Sequence, residues 1–395
     1  MRAIPLLPLP IISSRGRIYM IPQMQLQWIQ SPSDAKGNGK EDNLMNKTDL
    51  PLKIFSGNWK TSHVQGIAVD TARQYIYYSF TTMLLKTDLQ GHLIGWVDGL
   101  TGHLGCLDFN DRDGRVYGSL EYKAEKAFYI AIFDVDKITG PGMNAETDGI
   151  MTTVYLKDVV SDYTADMDGN GVFDGDVAQT PDHRYGCSGI DGVAFGPQFG
   201  DFKGSDSFLH VAYGIYSNIE RDDNDYQVIL RYDTADWKKC EQPLNQKKPH
   251  TSGPQTADGR YFLFTGNTTY GIQNLEYDGF TGHWFVTVYE GKKAKYKNFP
   301  MFIIDGSIAP VEGVIKGQAT EETGMLLSLL EKGEYDAAAQ TYGWRFAYGQ
   351  TGMFSFDDGT WFISHNDVTL DGRQNSTVCL YRWTGQTPYG FEMVE

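Results

Sequence analysis

The sequence predicts an all-β fold built from one repeated unit, on three observations. From residue 52 onward, short runs rich in Val, Ile, Tyr, Phe and Trp alternate with turns built on Gly, Asp and Asn. The chain holds 44 Gly and 13% aromatic residues, which suits short strands joined by tight turns. The strands also fall into groups of about four that return every ~40–50 residues, each opening on a small, glycine-rich strand.

The first group reads 66-GIAVD-70, 75-YIYYSFTT-82, 83-MLLKTDLQG-91 and 92-HLIGWVDGL-100. The second reads 104-LGCLDF-109, 115-RVYGSLEY-122, 127-AFYIAIFDVD-136 and 151-MTTVYLKD-158. The third holds 189-GIDGVAFG-196, 208-FLHVAYGIY-216 and 226-YQVILRYD-233, with a weak fourth strand near Trp237. The fourth holds 271-GIQNLEYD-278, 283-HWFVTVYE-290 and 300-PMFIIDG-306. The last holds 352-GMFSFDDG-359, 360-TWFISHND-367, 377-TVCLYRW-383 and 390-GFEMV-394. A four-stranded meander repeated at this interval is the mark of a β-propeller blade. Small residues suit the innermost strands, which converge on a narrow axis, and aromatics suit the faces where blade packs on blade. The count is five blades in a single propeller over 52–395. Six or seven follow if blades hide in the insertions 159–186 and 307–348. In the second insertion, 320-TEETGMLLSLLEKGEYDAAA-339 spaces Leu326, Leu329 and Leu330 as a helix does and reaches a stop at Gly333, so a short helical insertion is expected near 320–340. 52-LKIFSG-57 is placed as the outer strand that closes the ring onto the last blade.

Bulk properties limit the function. A chain of 395 residues exceeds the usual size of one compact core, so two domains or a repeat are the alternatives. A formal charge of −16 argues against nucleic acid as a general partner, since phosphate binding needs a basic surface. No apolar run of ~20 residues exists, so no helix is expected to span a membrane. Cys106, Cys187, Cys240 and Cys379 are far apart and read as free thiols rather than a disulfide or zinc framework. Residues 1–51 read as a disordered or extended leader. 2-RAIPLLPLPII-12 partly resembles a signal peptide, but three prolines break it and no small-x-small cleavage site follows. The free thiols and this leader tilt the compartment toward the cytoplasm, while a calcium loop described below pulls toward secretion.

With these motifs in place, residues 52–395 resemble the β-propeller superfamily. The stretch 63-HVQGIAVD-70, followed by 77-YYSFTTMLLKTD-88, is similar to bacterial propellers of unknown activity with HLQG-type blade openings. The resemblance implies that loops entering first strands and ends of second strands open together on one face around the axis. His63 and His103, one blade apart in 62-SHVQGIAVD-70 and 102-GHLGCLDFN-110, would then be neighbours at a central pocket. That pocket would be lined by His, Arg, Tyr and Glu, and would resemble those of propeller polysaccharide lyases, a group that includes metal-holding oligogalacturonate lyases. No local motif carries residue roles over from them.

The expected catalytic residues are His63, His103, Glu121, Tyr122 and Arg221, as acid/base groups, proton relays or a clamp on developing charge. Substrate contacts are expected from Gln65, His183, Arg184, Tyr216, Gln350 and His365. The two histidines could instead help hold a second divalent metal at the axis. Glycosidase chemistry is the rival mechanism, with Glu121, Glu290, Asp191 and Glu276 as available carboxyls. The partner expected is a small polar or saccharide substrate, handled by a lyase or glycoside hydrolase. The alternative is a propeller that binds a ligand or protein without catalysis, and it would spread apolar residues across one face instead of gathering ionisable groups. The most specific local motif is 166-DMDGNGVFD-174, in which Asp166, Asp168, Asn170, the Val172 carbonyl and Asp174 alternate as oxygen ligands and Gly171 makes the bend of a calcium loop. Val177 stands where an EF-hand would have its last Glu, so the loop is similar to those of integrin-type propellers, with calcium as a structural cofactor.

Overall fold

Tyr75–Phe80 lies antiparallel between Val64–Asp70 and Met83–Asp88, Leu93–Asp98 is the fourth strand of this first sheet, and Met143–Asn144 pairs parallel on its outer edge. The computed structural model describes residues 50–202, 204 and 206–395, so the expected leader lies outside the described residues except for its last two positions. The second blade runs outward through His103–Asn110, Arg115–Tyr122, Ala127–Phe133 and Met151–Tyr155. The third is Cys187–Gly196, Phe208–Ile215, Tyr226–Tyr232 and Gly259–Phe264. The fourth is Thr268–Asp278, His283–Glu290 and Met301–Ile304, and the fifth is Met353–Ser355, Thr360–Val368 and Gln374–Trp383. Five blades are present, as the repeat predicts.

Ring closure follows the expectation for the stretch 52–57. Lys53–Phe55 pairs with the third strand of the last blade, Lys53 opposite Cys379 and Phe55 opposite Thr377. Ile54 turns inward and is almost fully buried in the core between the last and first blades. Phe391–Met393 pairs farther along the same strand, so the two ends of the fold share one outer edge.

The cores lie between blades. Five hydrophobic clusters fill the five blade interfaces: Tyr77 and Leu84 meet Leu104 and Val116, for example, while Phe285 and Ile303 meet Trp361 and Cys379. A sheet covered on both faces has no solvent side, so its strands do not alternate. Every residue of Val64–Asp70 and of Ala127–Phe133 is buried. Among the described residues no helix is long and apolar enough to cross a membrane.

Two local expectations are corrected. The segment 320–340 forms no helix: Thr323–Leu326 is a strand, parallel to Tyr261–Phe262 and antiparallel to Val311–Val314. Beyond it, Leu329 bridges Ile304 and the Leu330 N–H donates to the Ile303 carbonyl at 2.8 Å. The leucines thus serve the outer edges of blades three and four, and the open edges of those sheets override helical spacing. The one α-helix among the described residues is Lys157–Tyr163, in the other insertion. The fourth strand expected near Trp237 is Gly259–Phe264. Trp237 begins a 3-10 turn and buries its ring 5.6 Å from that of Tyr232.

Candidate active site

Around the axis the second strands carry small hydroxyl residues that stitch neighbouring blades. Ser79 Oγ donates to the Gly105 carbonyl at 2.6 Å and Ser119 Oγ to the Asp191 carbonyl at 2.7 Å. The Asn274 side chain crosses the centre: its Nδ2 donates to the carbonyls of Gln65 (3.0 Å) and Gln350 (2.9 Å), and its Oδ1 accepts from Cys106 Sγ at 3.3 Å. One amide therefore ties blade four to blades one, five and two, and floors the channel.

At the entry ends of the innermost strands, His63, Gln65, His103, Glu121, Lys123, Asp191 and Gln273 come together. Gln65 Nε2 donates to Thr81 Oγ1 and to His63 Nε2, each at 3.2 Å, so the His63 ring accepts there. His103 Nδ1 lies 3.3 Å from Glu121 Oε2 and donates to it. The other Glu121 oxygen accepts the Ile190 N–H at 2.6 Å. This approach requires Gly189, where φ is +130° and a Cβ would run into Glu121 Oε1. Lys123 Nζ stands 3.9 Å from both Glu121 Oε2 and Asp176 Oδ2. Gln273 Nε2 donates to Asp191 Oδ2 at 2.9 Å. A cavity of 510 Å³ opens beside this cluster, lined by His103, Glu121, Tyr122 and Lys123.

The electrostatics separate the groups by role. Burial, then the nearby His103, lowers the His63 pKa and keeps its imidazole neutral. Burial would lower His103 as well, but its bond to Glu121 and the fields of Asp191 and Glu121 outweigh that, and its pKa is raised. Burial pushes the Asp191 carboxyl up to about 7; the Glu121 charge adds to this, while His103, Gln273 and Lys123 oppose it. Lys123 is held charged, because the carboxylates of Glu121, Asp176 and Asp191 outweigh its burial. The site therefore combines an imidazole shifted toward its neutral form, a carboxyl that burial pushes up to about 7, and two basic groups shifted toward their charged forms beside Glu121.

The carboxyls at the other ends of the innermost strands join blades. Asp108 Oδ2 accepts the Phe195 N–H at 2.6 Å, and Glu276 Oε1 accepts the Ser355 N–H at 2.8 Å. Glu276 is thus a connector, and Glu290 lies at the edge of a separate cavity between blades four and five.

Of the residues expected from sequence, His63, Gln65, His103, Glu121 and Tyr122 gather at this end of the axis. The Tyr122 hydroxyl donates to Gln246 Oε1 at 2.8 Å and shapes the wall. Gln350 and His365 line the cavity between blades four and five. Arg221 is corrected from a catalytic to a structural group. Its buried guanidinium is spent on Asp223 and on the carbonyls of Thr180, Asp182 and His183. His183 is fully buried among Tyr163, Phe173 and Tyr216, its Nε2 bonded to the Gly175 carbonyl at 2.8 Å, so it cannot touch substrate. Arg184 pairs with Glu322 at 2.8 Å, and the Tyr216 hydroxyl donates to Asp176. These four residues hold the loop that precedes blade three. Lys123 was absent from the expected set. It lies two residues beyond Glu121, and strand alternation puts it on the same side. Asp191 is marked by being the one carboxyl in the glycine-rich run 187–196.

In the loop 166–182, carboxylate oxygens of Asp166, Asp168 and Asp182 lie within 4.8 Å of one another. Asn170 Nδ2 donates to Asp168 Oδ2 at 2.9 Å, and Asn170 Oδ1 accepts the Val172 N–H at 2.7 Å. Asp174 accepts the Thr180 hydroxyl, so Asp182 stands where the sequence placed Asp174. Among the described residues this is the one place where three His, Cys, Asp or Glu donors converge so closely. The axial histidines do not form such a set, and their expected metal-ligand role is not carried further.

No family model and no curated protein matches the chain. Solved structures with some likeness include the Dos1 propeller, 11% identical over 80% of this chain and 78% of that one, with a TM-score of 0.31. The holo PQQ domain of pyranose dehydrogenase from Coprinopsis cinerea is 11% identical, covering 79% and 81%, with a TM-score of 0.36. The Cps50 (Swd1) β-propeller domain of Myceliophteria thermophila is 8% identical, covering 79% and 82%, with a TM-score of 0.28. By its own strand order and its closed ring of interblade cores, this chain is a five-bladed β-propeller.

Proposed function

We propose that the axial site performs acid/base catalysis on a polar substrate of the carbohydrate class, by a lyase or glycoside hydrolase reaction. The observation that carries this reading is the convergence of the buried Asp191 carboxyl, held by Gln273 and pushed up to about 7 by burial, with the His103–Glu121 pair at one end of the axis. A proton donor works best when its pKa lies near the working pH. In the lyase form His63 takes the proton beside the uronate carboxylate, His103 and Lys123 stabilise the negative charge that develops there, and Asp191 gives its proton to the leaving oxygen as the C–O bond breaks. In the hydrolase form Asp191 protonates the leaving oxygen and His63 takes a proton from the attacking water. Glu121, with one oxygen on the Ile190 N–H and the other on His103, orients His103 rather than acting as a nucleophile. The test is a panel of neutral and uronate polysaccharides, scoring new reducing ends for hydrolysis and ultraviolet absorbance of an unsaturated product for elimination. One substrate is expected to turn over, with kcat about 10²–10⁴-fold lower in His103→Ala and KM little changed. Full activity in that variant would remove the reading.

Calcium is proposed as a structural cofactor held by Asp166, Asp168 and Asp182, hard oxygen donors of the type this ion takes. Bound calcium would offset the mutual repulsion of the three carboxylates. It would also steady Asp176, which bonds to Tyr216 and stands against Lys123. Calcium is expected to raise the melting temperature and slow proteolysis within 160–190, and Asp168→Ala to abolish both effects. Identical melting curves with calcium and with chelator would dismiss the ion.

A further inference from the structure

Blades four and five enclose a cavity of 460 Å³ lined by Tyr289, Glu290, Tyr348, Gln350, His365 and Asn366. Its size falls in the range of small-ligand sites. Tyr348 is 43% exposed, yet its ring is fixed. It stacks on His365 with ring centroids 3.8 Å apart and planes 6° from parallel. His365 is itself anchored, its Nε2 lying 3.0 Å from the Tyr381 hydroxyl. One face of Tyr348 is thus covered and immobilised. Such a ring offers its other face at little entropic cost, and a flat, rigid aromatic face is what the C–H side of a sugar ring stacks on.

The polar lining narrows the ligand. Burial, and then Lys53, holds the His365 pKa down, so its imidazole is neutral. Glu290 is the one carboxylate of the lining, and no Lys or Arg faces it there. Gln350 gives its Nε2 to the Val288 carbonyl at 3.2 Å. Glu290 and Asn366 are exposed and can take up hydroxyl groups. An acceptor-rich lining that itself holds no Lys or Arg, with Lys53 acting on His365 from outside it, suits a neutral, hydroxylated ring better than a uronate.

Tyr289 of the lining is tied to the axial cluster by a chain of contacts: its ring centroid lies 6.4 Å from that of Tyr270, and Gln273 Nε2, which holds Asp191, donates to the Tyr270 carbonyl at 3.3 Å. We propose that this cavity is a subsite for a neutral pyranose ring, so that the substrate is an oligosaccharide reaching from the axial groups past Tyr289 onto the Tyr348–His365 platform. The inference rests on the acid/base reading of the axis for the polarity of the chain but predicts binding in its own right.

The test is calorimetric binding to the full chain of cellohexaose, maltohexaose and mannohexaose, with hexagalacturonate as the anionic probe and the matching disaccharides as short probes. At least one neutral hexasaccharide is expected to bind. Tyr348→Ala should weaken it roughly tenfold, and Tyr348→Phe should restore it. The disaccharide and hexagalacturonate should be indifferent to both changes. Failure of all three neutral hexasaccharides to bind, or binding that ignores Tyr348→Ala, or hexagalacturonate binding that depends on Tyr348, would each overturn the subsite. Tyr348-dependent binding without turnover of any bound sugar would support the subsite and remove the glycoside hydrolase form of the acid/base reading. Turnover that ignores Tyr348→Ala at every length would remove the subsite and leave that reading standing.

Discussion

Asp191→Asn is expected to lower kcat by about 10²–10⁴-fold and to erase the alkaline limb of the pH–rate profile. Asp191 sits in the bulged innermost strand of blade three, where burial sets its carboxyl near 7 against an ordinary value of 3.8. Activity should therefore fall as pH rises through about 7 in the native protein, when this proton is lost. The acid limb belongs to His63, whose lowered pKa places it below the ordinary histidine value of 6.5. A variant with Asn at 191 has no proton to lose and should show only the acid limb. Stability should move the other way. A carboxyl whose folded pKa is raised contributes stability in full below 3.8, and loses that contribution as pH climbs through about 7. Above that window the buried charge is a net cost, and Asn removes it. Asp191→Asn should thus be more stable than the native chain at pH 8 by up to a few kcal/mol, on the order of 1.4 kcal/mol per unit of pKa displacement, and the gap should close toward pH 4. Urea titrations at the two pH values check the sign. An unchanged alkaline limb would assign it to another group.

The architecture was legible because a blade writes its period into the sequence. Turn residues recur at strand spacing, and the innermost strands must be small. The expected strands of the first two blades coincide with the observed sheets, and the blade-length interval between His63 and His103 brings them within reach of each other's charge. What was not legible depends on partners remote in the chain. Leu326, Leu329 and Leu330 obey helical spacing, but the unpaired edges of Gly259–Phe264 and Met301–Ile304 recruit the segment as strand. Arg221 has the residue type of a substrate clamp. Only the fold shows that the carbonyls of Thr180, Asp182 and His183 consume it. Conversely, Lys123 carries no motif, and its role comes from a Glu121 that Gly189 allows to sit against the next blade.

Asn274→Ala is expected to destabilise the ring by about 3–5 kcal/mol, the largest stability loss of any single polar substitution at the axis. Asn274 is 1% exposed and makes three bonds that link its own innermost strand to those of blades one and two and to the loop entering blade five. Truncation leaves the Gln65 and Gln350 carbonyls without these donors, while the Cys106 thiol keeps the Val193 carbonyl at 3.4 Å as an acceptor. Each orphaned buried group costs about 1–3 kcal/mol, whereas the cavity left by so small a side chain adds little. Gln273→Ala, one residue away, is the control. Its side chain reaches Asp191 rather than the floor, and its bond lowers the Asp191 pKa. That variant should keep most of its stability while the alkaline limb of activity moves upward. Urea midpoints at constant m-value and pH–rate profiles on both variants separate the outcomes. Equal stability losses would mean that the floor is not held by Asn274. The contrast has a structural cause in the bulge at Ile272–Asn274, which turns neighbouring side chains to different tasks. Innermost strands converging on an axis bring carbonyls together that an apolar plug could not satisfy, so a polar floor is the condition for placing acid/base groups directly above it.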